Sequence, residues 1–149
     1  MLRIFSIFLL CLFYAACSKD PSSPEEQVRN TLSALESAAE ERSTSEFMQY
    51  ISDDYLDGQG NTKQDLKRYV QALFIRNQKI NIFTFVKSMD INSGIATVEI
   101  STAMASRDID LSQENNRLKA DTQSFSVILS PNKNKKTWLV QSTSWERGW

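Results

Sequence analysis

Residues 79–105, KINIFTFVKSMDINSGIATVEISTAMA, mark the point where the pattern of the chain changes from helical to extended. Two runs within this stretch, 80–86 and 95–105, are rich in the β-branched and aromatic residues that favour strands. Between them, residues 92–94 read Asn-Ser-Gly, which is a turn signal. The stretch therefore predicts two strands joined by a turn, and it separates a helical first half from a second half that forms a sheet.

The second half of the chain predicts two more strands. Residues 117–130 alternate apolar and polar side chains, and residues 137–145 follow after a turn at 131–136. Residues 107–116 are polar and predict a long hairpin loop. In the last strand we expect one face to carry Trp138 and Val140, and the opposite face to carry Leu139 and Trp145.

The first half of the chain predicts three helices. Residues 24–42 follow Ser23 in the capping pattern Ser-Pro-Glu-Glu, and their apolar side chains form one stripe. A second capping pattern at 43–46 opens a short helix. Thr62 can cap a third helix that ends near Gln78. The stripe of the first helix is Val28, Leu32, Leu35 and Ala39, and the apolar face of the third is Leu66, Tyr69, Val70, Leu73 and Phe74.

Composition excludes several function classes. The chain has 17 Lys and Arg residues against 18 Asp and Glu, and so lacks the strongly basic balance of a dedicated nucleic-acid surface. It has no histidine, and its two cysteines, Cys11 and Cys17, lie near the N-terminus. Ser-His-Asp and Cys-His catalysis and the usual zinc sites are therefore excluded. We assign no cofactor.

The first residues have the pattern of a secretory signal peptide. Arg3 precedes an apolar run at 4–14, and small residues lead to Cys17. A helix that spans a membrane needs about 20 apolar residues, so this run is too short to remain as one. Polar residues begin directly after the cysteine. The sequence therefore predicts export across a membrane.

Residues 14–17, Tyr-Ala-Ala-Cys, resemble the lipobox of bacterial lipoproteins. The resemblance implies that residues 1–16 are removed and that Cys17 receives a diacylglycerol and a further acyl chain such as palmitate. Tyr14 departs from the pattern, because Leu is usual there. The alternative is ordinary signal cleavage with a soluble periplasmic product. Ser18, where Asp would favour the inner membrane, implies the periplasmic face of the outer membrane.

Three helices followed by four long strands predict an α+β domain at 24–149, with the helices packed on one face of a curved antiparallel sheet. Residues 17–23 would be a lipidated cysteine and a short tether. The domain resembles the nuclear transport factor 2-like superfamily, which has a cone-shaped, cystatin-like half barrel. The residues that carry the resemblance are the helix at 25–42, the Ile-Ser-Asp-Asp-Tyr passage at 51–55, Gly60, and the closing Trp138-Leu139…Trp145 strand. The resemblance implies a pocket between sheet and helices, and a possible homodimer through the sheet.

Asp53, Asp54 and Asp57 form the densest group of carboxylates. Their spacing has a faint likeness to a calcium loop, but Tyr55 occupies a ligand position and Gln64 stands where the loop needs Glu. Solvated loop carboxylates, or partners of a helix end, are the simpler interpretation. We assign no metal ligand.

Some members of the superfamily are isomerases that pair an Asp base with a Tyr donor in an apolar pocket. Tyr50, Tyr55 and Tyr69 could donate, although tyrosines at helical spacing beside Leu and Phe are usually core aromatics. None of the residues matches that family's catalytic positions, so we assign no catalytic residue. The branch of the superfamily that uses a histidine for dehydration is excluded by composition.

Two surface features have a functional and a simpler interpretation. Lys133, Lys135 and Lys136 could contact anionic lipid head groups, but a charged hairpin tip is normally a solvated turn. Trp145 and Trp149 could dock a partner. More simply, Trp145 closes the core and Trp149 lies in a frayed end.

These observations favour a non-catalytic, membrane-anchored lipoprotein domain that faces the periplasm and binds a small apolar ligand or an envelope protein. The alternative is a small isomerase or dehydratase with an Asp base in an apolar pocket. An enzyme predicts a deep pocket with a buried carboxylate beside a Tyr hydroxyl. An assembly role predicts an exposed apolar patch on the sheet or around Trp149.

Overall fold

The computed structural model describes residues 23–105 and 121–146. Within these ranges three helices precede four strands, and the predicted α+β class is confirmed. The helices are α1 (Pro24–Glu40), α2 (Thr44–Gln49) and α3 (Lys63–Arg76). The strands are β1 (Asn81–Asn92), β2 (Ile95–Ala105), β3 (Asp121–Pro131) and β4 (Trp138–Glu146).

Several predictions fall outside the described residues. They concern the signal peptide at 1–16, the lipidation of Cys17, the hairpin loop at 107–116 and the position of Trp149. In the part of the chain that the structure does describe, none of the helices is both long and apolar enough to cross a membrane.

The predicted helix caps at Ser23 and Ser43 are confirmed. Each serine side chain accepts a hydrogen bond from a backbone N–H three residues later, at 3.2 Å from Glu26 and 3.4 Å from Glu46. Helix α1 ends earlier than the predicted Arg42, because Arg42 has a φ of 55°, in the left-handed region. The chain therefore turns sharply from α1 into α2.

The four strands pair with their neighbours in sequence, in the antiparallel order β1-β2-β3-β4. The predicted turn between the first two strands is confirmed as a two-residue turn with positive φ at Ser93 and Gly94. Strand β1 continues well beyond the predicted 80–86, because a bulge between Val86 and Ser88 breaks the alternation of side chains but not the pairing. A bulge of this kind also bends the sheet.

A second bulge corrects the predicted face of Trp145. Ile128 pairs with Ser142 while the next residue, Leu129, pairs with Val140, so the register shifts by one residue in β4. The shift turns Trp145 to the same inner face as Trp138 and Val140. The prediction that it lies on the opposite face is wrong, because a strict two-residue period does not survive an inserted residue.

Two apolar clusters form the core. The larger one joins α1 and α2 to the sheet and includes the fully buried side chains of Val28, Val98 and Leu129. Thr31 fixes α1 to β4, because its hydroxyl accepts the Trp138 N–H at 3.2 Å. The smaller cluster holds α3 and consists of Ala39, Val70, Phe74 and Ile80.

Candidate functional site

A cavity of about 670 Å³ lies between the helices and the inner face of the sheet. All three helices and all four strands of the described ranges contribute to its walls, together with the loop at 52–62 between α2 and α3. Its volume falls within the range of about 300–1,000 Å³ that is usual for small-molecule sites. The pocket implied by the resemblance is therefore present.

Most of the cavity wall is apolar. The helices contribute aliphatic and aromatic side chains to one wall, and the inner face of the sheet contributes the other. These side chains are Leu32, Leu35, Ala39, Phe47, Ile51 and Leu66 on the helical side, and Ile82, Ile100, Phe125, Val127 and Val140 on the sheet. Such a wall can hold an apolar molecule of small size.

The opening of the cavity is marked by lining residues that are also exposed, namely Gln59, Tyr69 and Gln123. Tyr69 is 61% exposed, so the prediction that it is a core aromatic is wrong. It lies on the edge of the apolar face of α3, while Val70 and Phe74 occupy the buried centre of that face. An aromatic ring at the opening can cover a bound molecule.

Asp57 is the buried carboxylate of the cavity, with 8% of its surface exposed. Its Oδ1 accepts the N–H groups of Gln59 and Asn61, each at 2.8 Å, and its Oδ2 accepts the Asn61 side-chain amide at 2.7 Å. The interpretation of Asp57 as a solvated loop carboxylate is therefore wrong. The pairing of Leu56 and Gly58 with β4 at 3.1 and 2.9 Å folds the loop inward.

The pKa of Asp57 is below its ordinary value, although burial alone raises it. The side-chain amide of Asn61 and the N–H groups of Asn61, Gln59 and Gly60 together outweigh the effect of burial, because they stabilise the charged form. The carboxylate is thus held ionised by neutral donors. It keeps its full negative charge inside the cavity.

Tyr55 lies beside this carboxylate and is almost fully buried. Its hydroxyl forms a hydrogen bond of 2.6 Å with the Thr143 hydroxyl on β4. Burial raises the pKa of the Tyr55 phenol, the bond to Thr143 lowers it, and the charge of Asp57 raises it again, with the result above its usual value. The phenol is therefore protonated at neutral pH and available as a donor.

Asp65 is the second cavity carboxylate and belongs to the first turn of α3. The Thr62 hydroxyl and N–H donate to its Oδ2 at 2.6 and 3.0 Å, and Arg68 binds its other oxygen. These contacts, the Thr62 hydroxyl first, lower the pKa of Asp65 to about 2. The predicted cap at Thr62 is confirmed, in the reciprocal form in which the third helical residue binds the cap.

Glu36 is the third cavity carboxylate, and its place in the cavity was not predicted from the sequence. It is half-buried on α1 and lines both the main cavity and a smaller one of about 240 Å³, which Arg29 and Ser33 also line. A signal was present, because Glu36 lies one turn after Leu32 on the apolar stripe and so shares its face.

The other loop carboxylates do not join these three. Asp53 is 97% exposed and pairs at 2.8 Å with Lys63, which also donates to the Ile51 carbonyl at 2.8 Å. The hydrogen bond from Lys63, and then its charge, lower the pKa of Asp53. Asp54 is exposed. Among the described residues, no three His, Cys, Asp or Glu side chains come close enough together to hold a metal ion.

The remaining predicted surface features lie in the turn between β3 and β4 and on the sheet. Lys133, Lys135 and Lys136 are exposed in the turn between β3 and β4. Trp145 is half-buried and stands on the cavity wall beside Phe125, with ring centroids 6.3 Å apart, rather than closing the core. On the outer face of the sheet, Phe83 and Phe85 of β1 are 60% and 69% exposed.

No family model matches the chain. None of the curated proteins matches it either. Solved structures do resemble it. A Bdellovibrio bacteriovorus protein, Bd1075, has a TM-score of 0.65 at 7% identity, over 81% of this chain and 39% of that one. This chain thus spans about two fifths of the length of Bd1075.

Two further structures match over almost their whole length. An NTF2-like protein of unknown function from Shewanella oneidensis has a TM-score of 0.63 at 10% identity, over 83% of this chain and 98% of that one. A protein of unknown function with a cystatin-like fold from Nostoc punctiforme has a TM-score of 0.65 at 11% identity, over 85% and 93%. The chain therefore has the nuclear transport factor 2-like fold that the sequence suggests.

Proposed function

We propose that the chain is a non-catalytic binding protein for a small, mainly apolar molecule, and that it works at a bacterial membrane to which lipid on Cys17 attaches it. The observation that carries the binding role is the cavity of about 670 Å³ with apolar walls and an exposed aromatic ring at its opening. A cavity of this size between two packed layers costs stability, because its lining loses contacts. A bound molecule would restore them.

The state of Asp57 and Asp65 favours binding over catalysis. A general base works best when its pKa lies near the working pH. The amide donors around Asp57 lower its pKa, and the contacts of Asp65 lower its pKa to about 2. Both carboxylates are therefore weak bases whose oxygens already accept hydrogen bonds.

The second candidate is an isomerase that acts on an apolar carbonyl compound. One observation favours it, namely that the protonated Tyr55 hydroxyl and the buried carboxylate of Asp57 line the same cavity. An absorbance assay for migration of a double bond in an unsaturated cyclic ketone tests this candidate. Turnover that is lost in both Tyr55→Phe and Asp57→Asn would favour the enzyme over the binding protein.

The test of the binding role is recovery of a ligand from the protein. The full chain is purified from the envelope of its bacterial host, extracted with organic solvent and examined by mass spectrometry. We expect one class of small molecule to be enriched with the native chain and lost in Leu35→Trp, whose larger side chain fills the cavity. Ser37→Trp is the matched control, because Ser37 is exposed on the same helix and does not line the cavity.

Retention of the same molecule by Leu35→Trp would count against the cavity as the binding site. Extracts that contain only bulk membrane lipid, in the same ratio as the membrane itself, would count against a binding role altogether.

The membrane role is supported by the sequence before the domain. A tether of six residues, 18–23, would reach about 20 Å when extended, at roughly 3.3 Å per residue. We expect intact-mass analysis of the exported protein to show a chain that begins at Cys17 and carries acyl groups. Cys17→Ser should move the protein from the membrane to the soluble fraction, while Cys11→Ser, inside the leader, should not. An unmodified thiol at Cys17 would contradict the proposal.

A further inference from the structure

We infer that the cavity selects ligands that carry a positively charged amine over ligands of the same shape that carry a carboxylate. This inference rests on the proposed function, because it assumes that the cavity binds a ligand. It goes beyond that function by assigning the charge of the ligand's polar group.

The charges of the cavity wall all have one sign. Among the described residues, the charged side chains that line it are Glu36, Asp57 and Asp65, and none of its lining residues is Lys or Arg. The other polar groups of the wall are neutral. They are the side chains of Gln59, Asn61, Thr84, Thr102, Gln123 and Thr143, together with the hydroxyls of Tyr55 and Tyr69 and the indole of Trp145.

Two of the three carboxylates are not neutralised by a cation. Asp57 is held by amide N–H groups, which stabilise its charge without cancelling it, and it is almost fully buried. Glu36 forms no salt bridge with any residue in the described ranges. Asp65 is paired with the exposed Arg68 and contributes less. Arg29, which lines the adjacent smaller cavity together with Glu36, does not line this one.

The two unneutralised carboxylates lie at opposite sides of the sheet. Glu36 shares the smaller cavity with Thr84 of β1, while the Asp57 loop is bonded to Thr143 of β4 through Gly58 at 2.9 Å. Because β1 and β4 are the outer strands of the sheet, about three strand spacings, or ~14 Å, separate these edges. A ligand with an apolar body that lies between these edges and an amine at one end would therefore place its charge beside a carboxylate and its body against the apolar wall.

A buried charge on the ligand must be compensated, because it loses its hydration on entry. An ammonium group would find a carboxylate at either end and aromatic faces at Phe125, Trp145 and Tyr69, which attract cations. A carboxylate group would meet charges of its own sign and, among the described residues of the wall, no cationic partner. Inside a partly enclosed site these interactions exceed their strength in water.

The test uses three rigid probes that differ only in one group, namely 1-adamantanamine, 1-adamantanol and 1-adamantanecarboxylate. Their binding to the full chain, in the processed form that the bacterial host delivers, is measured by calorimetry at neutral pH against blanks of the same buffer and lipid. We expect the amine to bind about tenfold or more tightly than the carboxylate, with the alcohol between them. The preference should weaken at high salt.

Two variants test whether the carboxylates of the cavity wall cause the preference for the amine. Glu36→Gln should lower the ratio of amine to carboxylate affinity about threefold or more, because it removes one unneutralised charge. Glu99→Gln is the control, since it makes the same change on β2 at a residue that does not line the cavity. If all three probes bind with similar affinity, or the carboxylate binds best, the inference is overturned and the binding role stands. If none of the probes binds, the inference is overturned, and the binding role is then decided by the recovery of a ligand from the native chain.

Discussion

Asp57 has its low pKa because the chain returns on itself within four residues and aims N–H groups at one carboxylate. The loop conformation and the charge depend on each other, because the backbone N–H groups of Gln59 and Asn61 donate to the carboxylate of Asp57. Asp57 is almost fully buried, so water does not readily replace it as the acceptor. A buried donor that loses its acceptor costs about 1–3 kcal/mol. Asp57 is therefore a structural residue of the loop as well as a charge in the cavity.

We expect Asp57→Asn to lower the free energy of unfolding by about 1–3 kcal/mol. The new amide can still accept the two backbone N–H groups, but its own NH₂ would face the NH₂ of Asn61, which now bonds to Oδ2 at 2.7 Å. Urea unfolding followed by tryptophan fluorescence measures the change. Asp54→Asn, in the same loop but exposed, should stay within about 0.5 kcal/mol of the native chain. Equal losses in both variants would contradict this account.

The sequence identifies Asp57 as part of a carboxylate group but gives no sign of its burial. That burial depends on hydrogen bonds from Leu56 and Gly58 to Gln141 and Thr143, which lie more than 80 positions along the chain. Local patterns carry no information about such distant partners. The absence of histidine and of cysteine after Cys17, by contrast, limits the chemistry of the domain without any structure.

At the scale of elements, Asp65 at the start of α3 makes the stability of the fold depend on pH. Asp65 has a folded pKa of about 2, below the ordinary value of 3.8 for an Asp side chain. A carboxylate with a lowered pKa stabilises the fold above its unfolded pKa, and that contribution disappears as the pH falls through the folded value. The cap of α3 should therefore weaken between about pH 4 and pH 2.

We expect the difference in urea midpoint between the native chain and Asp65→Asn to be largest above about pH 5, and to shrink steadily as the pH falls from about 4 toward 2. Circular dichroism at a series of pH values gives these midpoints. For Gln64→Ala, a change between two uncharged residues at an exposed position of the same helix, the difference from the native chain should show no such trend. A difference for Asp65→Asn that stays constant down to pH 2 would show that its charge has no part in the cap.

The turn between β1 and β2 offers a stabilising change. Ser93 has a φ of 48° and Gly94 a φ of 79°, and two-residue turns of this kind favour Asn followed by Gly. We expect Ser93→Asn to raise the free energy of unfolding by about 0.5 kcal/mol, because Asn adopts the left-handed region more readily than Ser. Thermal unfolding measures the gain. A lower melting temperature would contradict the assigned turn.

Helix starts and hairpin turns were predictable from the sequence because they depend on a few neighbouring residues. The caps at Ser23, Ser43 and Thr62 are examples. The bulges were not predictable, because an inserted residue is defined only by its partner strand. Because of the bulge in β4, Trp145 lies on the face opposite to the predicted one, where it forms part of the cavity wall.

At the scale of the whole molecule, α3 is held mainly by the smaller of the two core clusters. Its buried side chains, Val70 and Phe74, belong to the smaller core cluster, whereas α1 and the sheet share the larger one. Segments with few buried apolar contacts open at lower free energy than the rest of a domain. The domain should therefore lose α3 before it loses the sheet.

We expect amide protons of α3 to exchange with deuterium faster than those in the centre of β2 and β3, by about tenfold or more. Phe74→Ala should speed exchange in α3 while leaving the sheet largely protected, whereas Leu129→Ala, in the larger cluster, should speed exchange throughout. Mass spectrometry of peptic fragments resolves the two regions. Equal rates in α3 and the sheet would show a single cooperative unit.

The cavity takes Asp65, Leu66 and Tyr69 from this same helix, and the opposite wall from a sheet whose central strands, β2 and β3, are paired on both sides. We therefore expect the sheet wall of the cavity to be stiff, and the wall that α3 forms to move at a low cost in free energy. Under the proposed binding role, ligands of different size would be accommodated by displacing this single helix, and the affinity for each would be reduced by the free energy that the displacement costs. A broad choice of ligands and a low affinity for each would then have the same cause, namely the wall that α3 forms.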